Sequence, residues 1–256
     1  MTSFLLLHLW KNTSNISGQY SGDWKNMDYI STWRSVFGAE TVKYLGYKIS
    51  QKGFAPLPDK VKALQEYKKP KDIQELRRFL GAVNFYLRFL PNAAATQDPL
   101  NKYLKDSKKN DKRPIEWTNE ATEAFERMKQ DLTNTTLLAH PVLQAKLRLS
   151  TDASGVAMGA ALEQSTNDED WEPLGFFSKK FLPAQINYST YDKELTAIYY
   201  AIKFFRSWIE GNTEVEIRTD HKPLIYAFAQ KSDKASPRQL RQLNLIGQFT
   251  TKISYI

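Results

Sequence analysis

The sequence contains no cysteine, which removes disulfides, thiolate zinc sites and zinc knuckles and fits a reducing, intracellular compartment. No apolar run approaches the ~20 residues needed to span a bilayer, so no membrane is expected among its partners. Residues 4–10 (FLLLHLW) are apolar but few, and no basic residue precedes them, which argues against a signal peptide. Acidic residues are outnumbered: 28 Asp and Glu face 36 Lys and Arg, leaving a formal charge of +8. That excess suggests an anionic partner, and nucleic acid is the commonest one. Usable periodicity is missing from residues 1–34, an undetermined leader rich in Ser, Asn and Gly that holds Trp10, Trp24 and Trp33.

What is present reads as a globular chain. A length of 256 residues suits one large or two ordinary domains, and 41% hydrophobic content is enough for a packed core. Residues 41–50 (TVKYLGYKIS) are aromatic and β-branched, predicting a strand kinked at Gly46, and Gln51-Lys52-Gly53 then turns the chain into a hairpin. Pro58 suits the first turn of a helix carrying Val61 and Leu64. Asp72 and Glu75 have capping-box spacing, and the apolar set from Leu76 to Leu90 predicts a helix running to Pro91. The run 101–113 holds six basic residues against two acids. It reads either as a solvated loop or as a phosphate-contacting patch formed by Lys102, Lys105, Lys108, Lys109, Lys112 and Arg113. Thr118 suits the N-cap of a helix bearing Ala121, Phe125, Met128 and Leu132. A domain boundary is expected near residue 140, separating 35–140 from 141–256.

The second part reads as strands at 146–152, 156–164 and 172–179, and a long helix at 191–209. A strand at 214–219, helices at 222–229 and 237–248, and a strand from Thr250 follow. Adjacent strands followed by alternating helices and strands indicate an α/β (α+β) fold with a mixed sheet and helices packed on it. Asp152 and Asp220 each close a predicted strand, in LSTD and IRTD, and Glu194 lies in the first turns of the long helix. Alone, Asp152 reads as a turn residue. If the two strands are neighbours, both Asp residues emerge at one edge and the helix delivers Glu194 there. Clustered carboxylates repel one another without a cation, and Mg2+ is the hard ion that prefers oxygen ligands.

The words around these acids are more specific than their spacing. TDAS at 151–154, NYSTYDKELTAIYYAIKFFRSWIEG at 187–211 and TDHKPL at 219–224 resemble the RNase H domain of gypsy-type LTR retrotransposon polyproteins. SVFGAETVKYLGYKISQKG resembles the end of the reverse-transcriptase palm in those polyproteins, and PKDIQELRRFLGAVNFYLRFLPN the thumb. IEWTNEATEAFERMKQDL and LLAHPVL resemble the connection into RNase H. The resemblance implies a five-stranded RNase H-like mixed sheet with flanking helices, preceded by a mostly helical thumb and connection. It implies hydrolysis of the RNA strand of an RNA–DNA hybrid, with Asp152 bridging two Mg2+ ions and Glu194 and Asp220 completing the second site. His221 is implied as a motif marker. If the chain instead keeps only a basic hybrid-binding surface, the candidate contacts are the run from Lys102 to Arg113 with Lys179, Lys180, Arg238 and Arg241.

Two departures temper these expectations. The family continues past Ile256 into a helix with a fourth metal-holding Asp, so the first-metal site is expected to be incomplete and nuclease activity weak. The sequence has no adjacent Asp pair of the kind that forms a polymerase active site. The alternative expectation is therefore a catalytically impaired remnant that binds nucleic acid without turnover.

Overall fold

A computed structural model describes residues 39–108, 110–229 and 235–256; the leader over 1–34 and Lys109 lie outside the described residues. The backbone contacts divide the chain into Met1–Val42 and Lys43–Ile256. The stretch read as one kinked strand is two, β1 (Thr41–Tyr44) and β2 (Tyr47–Ser50). The connecting residues Leu45 and Gly46 both take positive φ, 44° and 86°, as a two-residue hairpin turn requires. Ser50 then pairs with Gly53, and β2 lies antiparallel to β3 (Gly53–Pro56) as the predicted hairpin.

Short helices follow: α1 (Pro58–Gln65), α2 (Ile73–Asn84), α3 (Ala93–Thr96) and α4 (Asp98–Tyr103), then the longer α5 (Asn119–Thr133). Asp72 caps α2 by accepting from the Glu75 N–H at 2.8 Å, and Glu75 accepts in return from the Lys71 N–H at 2.9 Å. Thr118 caps α5 by accepting from the Ala121 N–H at 3.2 Å. The helix predicted to reach Pro91 stops at Asn84, and the chain tightens into a 3-10 turn over Leu87–Phe89. Tyr86, Phe89 and Leu90 stay buried, because a spacing of three or four keeps them on the inner face of either helix. Leu76, Phe79 and Val83 of α2 pack against Phe125, Met128 and Leu132 of α5. The Phe79 and Phe125 rings lie 4.7 Å apart between centroids, and neither has exposed surface.

The downstream part is built on β4 (Lys146–Ala153), β5 (Ala157–Ser165), β6 (Glu172–Lys180), β7 (Val215–Thr219) and β8 (Ile253–Tyr255). Their order is β6-β5-β4-β7-β8. The β4–β5 and β5–β6 pairs are antiparallel, and β4–β7 and β7–β8 are parallel, giving the expected mixed sheet. After the short α6 (Pro183–Ile186), the helix α7 (Thr190–Ile209) buries Leu195, Ile198, Ala201, Ile202 and Phe205 against Leu147, Leu149, Leu162 and Ile217. The segment read as a helix over 222–229 is a 3-10 turn, Lys222–Tyr226, and α8 (Pro237–Ile246) packs beside α7. The last strand starts at Ile253 rather than Thr250, because the Thr250 hydroxyl donates to the Val215 carbonyl at 2.7 Å and turns the chain before pairing begins. Among the described residues no helix is long and apolar enough to cross a membrane.

One strand serves both hydrophobic clusters. Phe177 of β6 joins the sheet core, while Phe176, its neighbour on the opposite face, packs into the upstream cluster. Buried Gln164 holds the connecting chain by donating to the His140 carbonyl at 2.8 Å and accepting from the Val142 N–H at 2.9 Å.

If α2 is held by packing more than by its cap, Phe79→Ala should cost about 3–5 kcal/mol. Asp72→Ala should cost about 1 kcal/mol. Chemical denaturation of the two variants would check the order, and equal losses would contradict it.

Candidate functional site

The parallel register between β4 and β7 pairs Thr151 with Thr219. The next residue of each chain, Asp152 and Asp220, therefore leaves neighbouring strands at the same edge of the sheet. Beyond β7 the His221 N–H donates to the Thr219 hydroxyl at 3.2 Å, which turns the chain sharply there. Helix α7 starts beside this edge, with Ser189 as N-cap accepting from the Asp192 N–H at 3.1 Å. Glu194 falls one turn in, on the face that α7 buries, and is 3% exposed. Its Oε1 accepts from the Ala153 N–H at 3.1 Å, a contact to the end of β4. The outcome is one carboxylate oxygen from each of Asp152, Glu194 and Asp220 within 4.8 Å of the others.

This clustering is costly as it stands. Burial, then the neighbouring charges of Asp220 and Asp152, push the Glu194 carboxyl up to about 7, against the opposing pull of the Ala153 N–H. Its Oε2 is buried and has no hydrogen-bond partner among the described residues. An orphaned buried carboxylate oxygen facing two exposed Asp residues is a donor set that fits a hard divalent cation. A cation there would relieve both the repulsion and the unmet oxygen.

The other residues singled out in the sequence are dispersed. His221 lies 6.0 Å from the Tyr191 ring, edge to face. Lys102 is 4.0 Å from Asp98 and 3.4 Å from Glu120, Lys180 pairs with Asp98, and Arg113 pairs with Asp111 at 2.6 Å. Lys105, Lys108 and Lys112 are exposed. The Lys179 ammonium sits 4.1 Å from the centre of the Tyr200 ring. Arg238 lies 2.9 Å from Asp192 and 3.9 Å over the Tyr188 ring, and Arg241 donates to the Pro237 carbonyl of its own helix.

Two features near the carboxylates were not visible in the sequence. Asp192 accepts from the Gln239 side-chain amide at 2.8 Å as well as from Arg238, which ties the start of α8 to the first turn of α7. The Ser189–Asp192 spacing signals a local cap but says nothing of Gln239. A cleft of about 350 Å3 also opens beside Asp152, with Arg127 of α5 among its lining residues. Arg127 reads in sequence as one more polar position of an amphipathic helix.

Comparison with known proteins agrees with this architecture. The family described as the RNase H-like domain found in reverse transcriptase matches residues 117–217. The chain is 37% identical over 227 residues to the Transposon Tf2-3 and Tf2-4 polyproteins of Schizosaccharomyces pombe. Each alignment covers 88% of this chain and 17% of the polyprotein, so the chain spans about a sixth of the length of the curated relatives it matches. Among solved structures, the foamy viral protease-reverse transcriptase in complex with dsDNA superposes with a TM-score of 0.67 at 19% identity, covering 85% of this chain and 44% of that one. The same viral protein in complex with an RNA/DNA hybrid gives 0.66 at 20% identity, covering 84% and 29%. At those identities the likeness speaks for the fold, an RNase H-like mixed sheet with flanking helices. The domain match and the polyprotein matches together make the chain similar to the part of gypsy-type LTR retrotransposon polyproteins that carries the RNase H-like domain found in reverse transcriptase.

Proposed function

We propose that this part of the polyprotein hydrolyses the RNA strand of an RNA–DNA hybrid, using Mg2+ held by Asp152, Glu194 and Asp220. The observation that carries the reading is the three-carboxylate cluster, with its buried and unpartnered Glu194 oxygen, at the edge of an RNase H-like sheet. In this reading residues 141–256 form the RNase H-like domain, and residues 35–140 are the end of the palm, the thumb and the connection. Bound Mg2+ would supply an activated water and stabilise the leaving oxygen of a phosphodiester.

The chain's own residues supply placement. Glu194 is held from behind by the packed face of α7 and from the side by the Ala153 N–H, so its free oxygen is oriented before any ion arrives. Asp152 and Asp220 are exposed, which leaves the cluster open to a substrate strand. Asp152, on the central strand β4, would hold Mg2+ together with Asp220 and Glu194. An RNA–DNA hybrid as substrate is supported by the +8 charge and by the foamy viral relative of this fold solved with such a hybrid.

Cleavage of a labelled RNA–DNA hybrid should require Mg2+ and fall about 100-fold or more in Asp152→Asn, since loss of even an outer-shell partner costs 10–100-fold. A folded chain that binds the hybrid in a salt-dependent way without cutting it would overturn the hydrolytic reading and leave a binding module.

The Glu194 carboxyl adds a pH signature. It is raised from an ordinary 4.5 to about 7, so the folded, metal-free chain keeps a proton that the unfolded chain releases. Stability from this group is full below 4.5 and is lost as pH rises through about 7. In metal-free protein at pH 8, Glu194→Gln should therefore raise the melting temperature, by roughly 5 °C. Mg2+ must displace the same proton, so its affinity should weaken as pH falls below about 7, by up to about tenfold per unit. Calorimetry in buffers of different ionisation heat would read the proton release; binding that is independent of pH between 6 and 8 would contradict it.

A further inference from the structure

The cleft beside Asp152 lies on the face of the sheet that α7 does not cover. Its floor is a row across three strands, because Asp152 pairs with Gly159 and Gly159 with Ser178. These positions share one face and stand about 5 Å apart. Gly159 offers no side chain and Ser178 a short one, which lets the upstream helices approach the sheet closely here.

The far wall comes from the upstream helices. Asn92, with a left-handed φ of 53°, starts α3 directly over Gly159, where an added Cβ would stand 2.9 Å from the Asn92 Oδ1. The Ala94 N–H donates to the Ser178 hydroxyl at 2.9 Å, fastening α3 to the end of the row. Thr96 and Arg127 complete the wall. Arg127 is exposed, forms no ion pair among the described residues, and is the cation among the residues lining the cleft. The cleft thus brings the Asp152 carboxylate and the Arg127 guanidinium together, with no other charged side chain among its described lining residues. Its volume, about 350 Å3, is in the range of small-ligand sites.

We propose that this cleft is a subsite for one phosphodiester of a nucleic-acid strand, adjacent along the strand to the one at the carboxylate cluster, with Arg127 as its anion partner. The proposal rests on the hydrolytic reading for which strand lies there, but the contact itself needs no turnover. A planar guanidinium suits a phosphate because two parallel N–H groups meet two oxygens. The subsite is assembled from both halves of the chain, so α3 and α5 would set the register of the strand relative to Asp152.

The test is hybrid binding by the full chain, read by fluorescence anisotropy over a salt series without divalent ions. Arg127→Ala should weaken binding about fivefold to tenfold and lower the slope of log affinity against log salt by about one. Arg127→Lys should keep the slope. Lys129→Ala, which removes a neighbour on α5 already 3.5 Å from Glu126, should change neither. An unchanged slope in Arg127→Ala, or an equal drop in Lys129→Ala, overturns the proposal. Mg2+-dependent cleavage by the unmodified chain is measured in parallel. A slope change without cleavage keeps the subsite and removes the hydrolytic reading; cleavage with an unchanged slope does the reverse.

Discussion

The downstream half depends on one pairing, the parallel register of β4 and β7. It sets Thr151 beside Thr219, and every later feature of the edge follows from it. Two aspartates emerge side by side, and α7 can bury its apolar face on the same strands only with Glu194 brought to the same corner. The repulsion among three carboxylates is held in place by a hydrophobic contact much larger than itself. Leu195, Ile198, Ile202 and Phe205 are almost fully buried, and each such side chain is worth about 1.5–3 kcal/mol. The sheet core can therefore carry one group in an unfavourable electrostatic state, and that state is what a cation would relieve.

The upstream helices are part of the same architecture through β6. Phe176 and Phe177 point to opposite faces and join different clusters, and Ser178 then takes the bond from the Ala94 N–H. A strand at the edge of the sheet is thereby covered on the face that α7 leaves free. The helical region does more than precede the sheet: it supplies one wall of the cleft at Asp152.

Much of the fold was legible because it is local. The caps at Asp72 and Thr118 and the turn at Gln51–Gly53 are decided within a few residues of sequence. Where the reading differed, the same spacing admitted a second local conformation. Leu45 and Gly46 split a strand that β-branched composition had joined, because a two-residue turn lets the segment fold back on itself. The helix toward Pro91 tightened after Asn84, since its apolar spacing is equally compatible with a 3-10 turn. The basic residues were the least legible: composition counts charges but not their partners, and Lys102, Arg113, Lys180 and Arg238 each meet an acid.

The sequence by itself determined most of the elements, the three acids that the fold brings together and the family resemblance, because periodicity, capping and motif order are written along the chain. Only the tertiary structure decided that Glu194 is buried with an unpartnered oxygen while Asp152 and Asp220 stay exposed. It alone brought Asn92 and Arg127 to Gly159 and Ser178. The physical reason is that a residue's spacing reveals which face of its own element it occupies, whereas burial, charge coupling and cleft shape depend on which distant element covers that face.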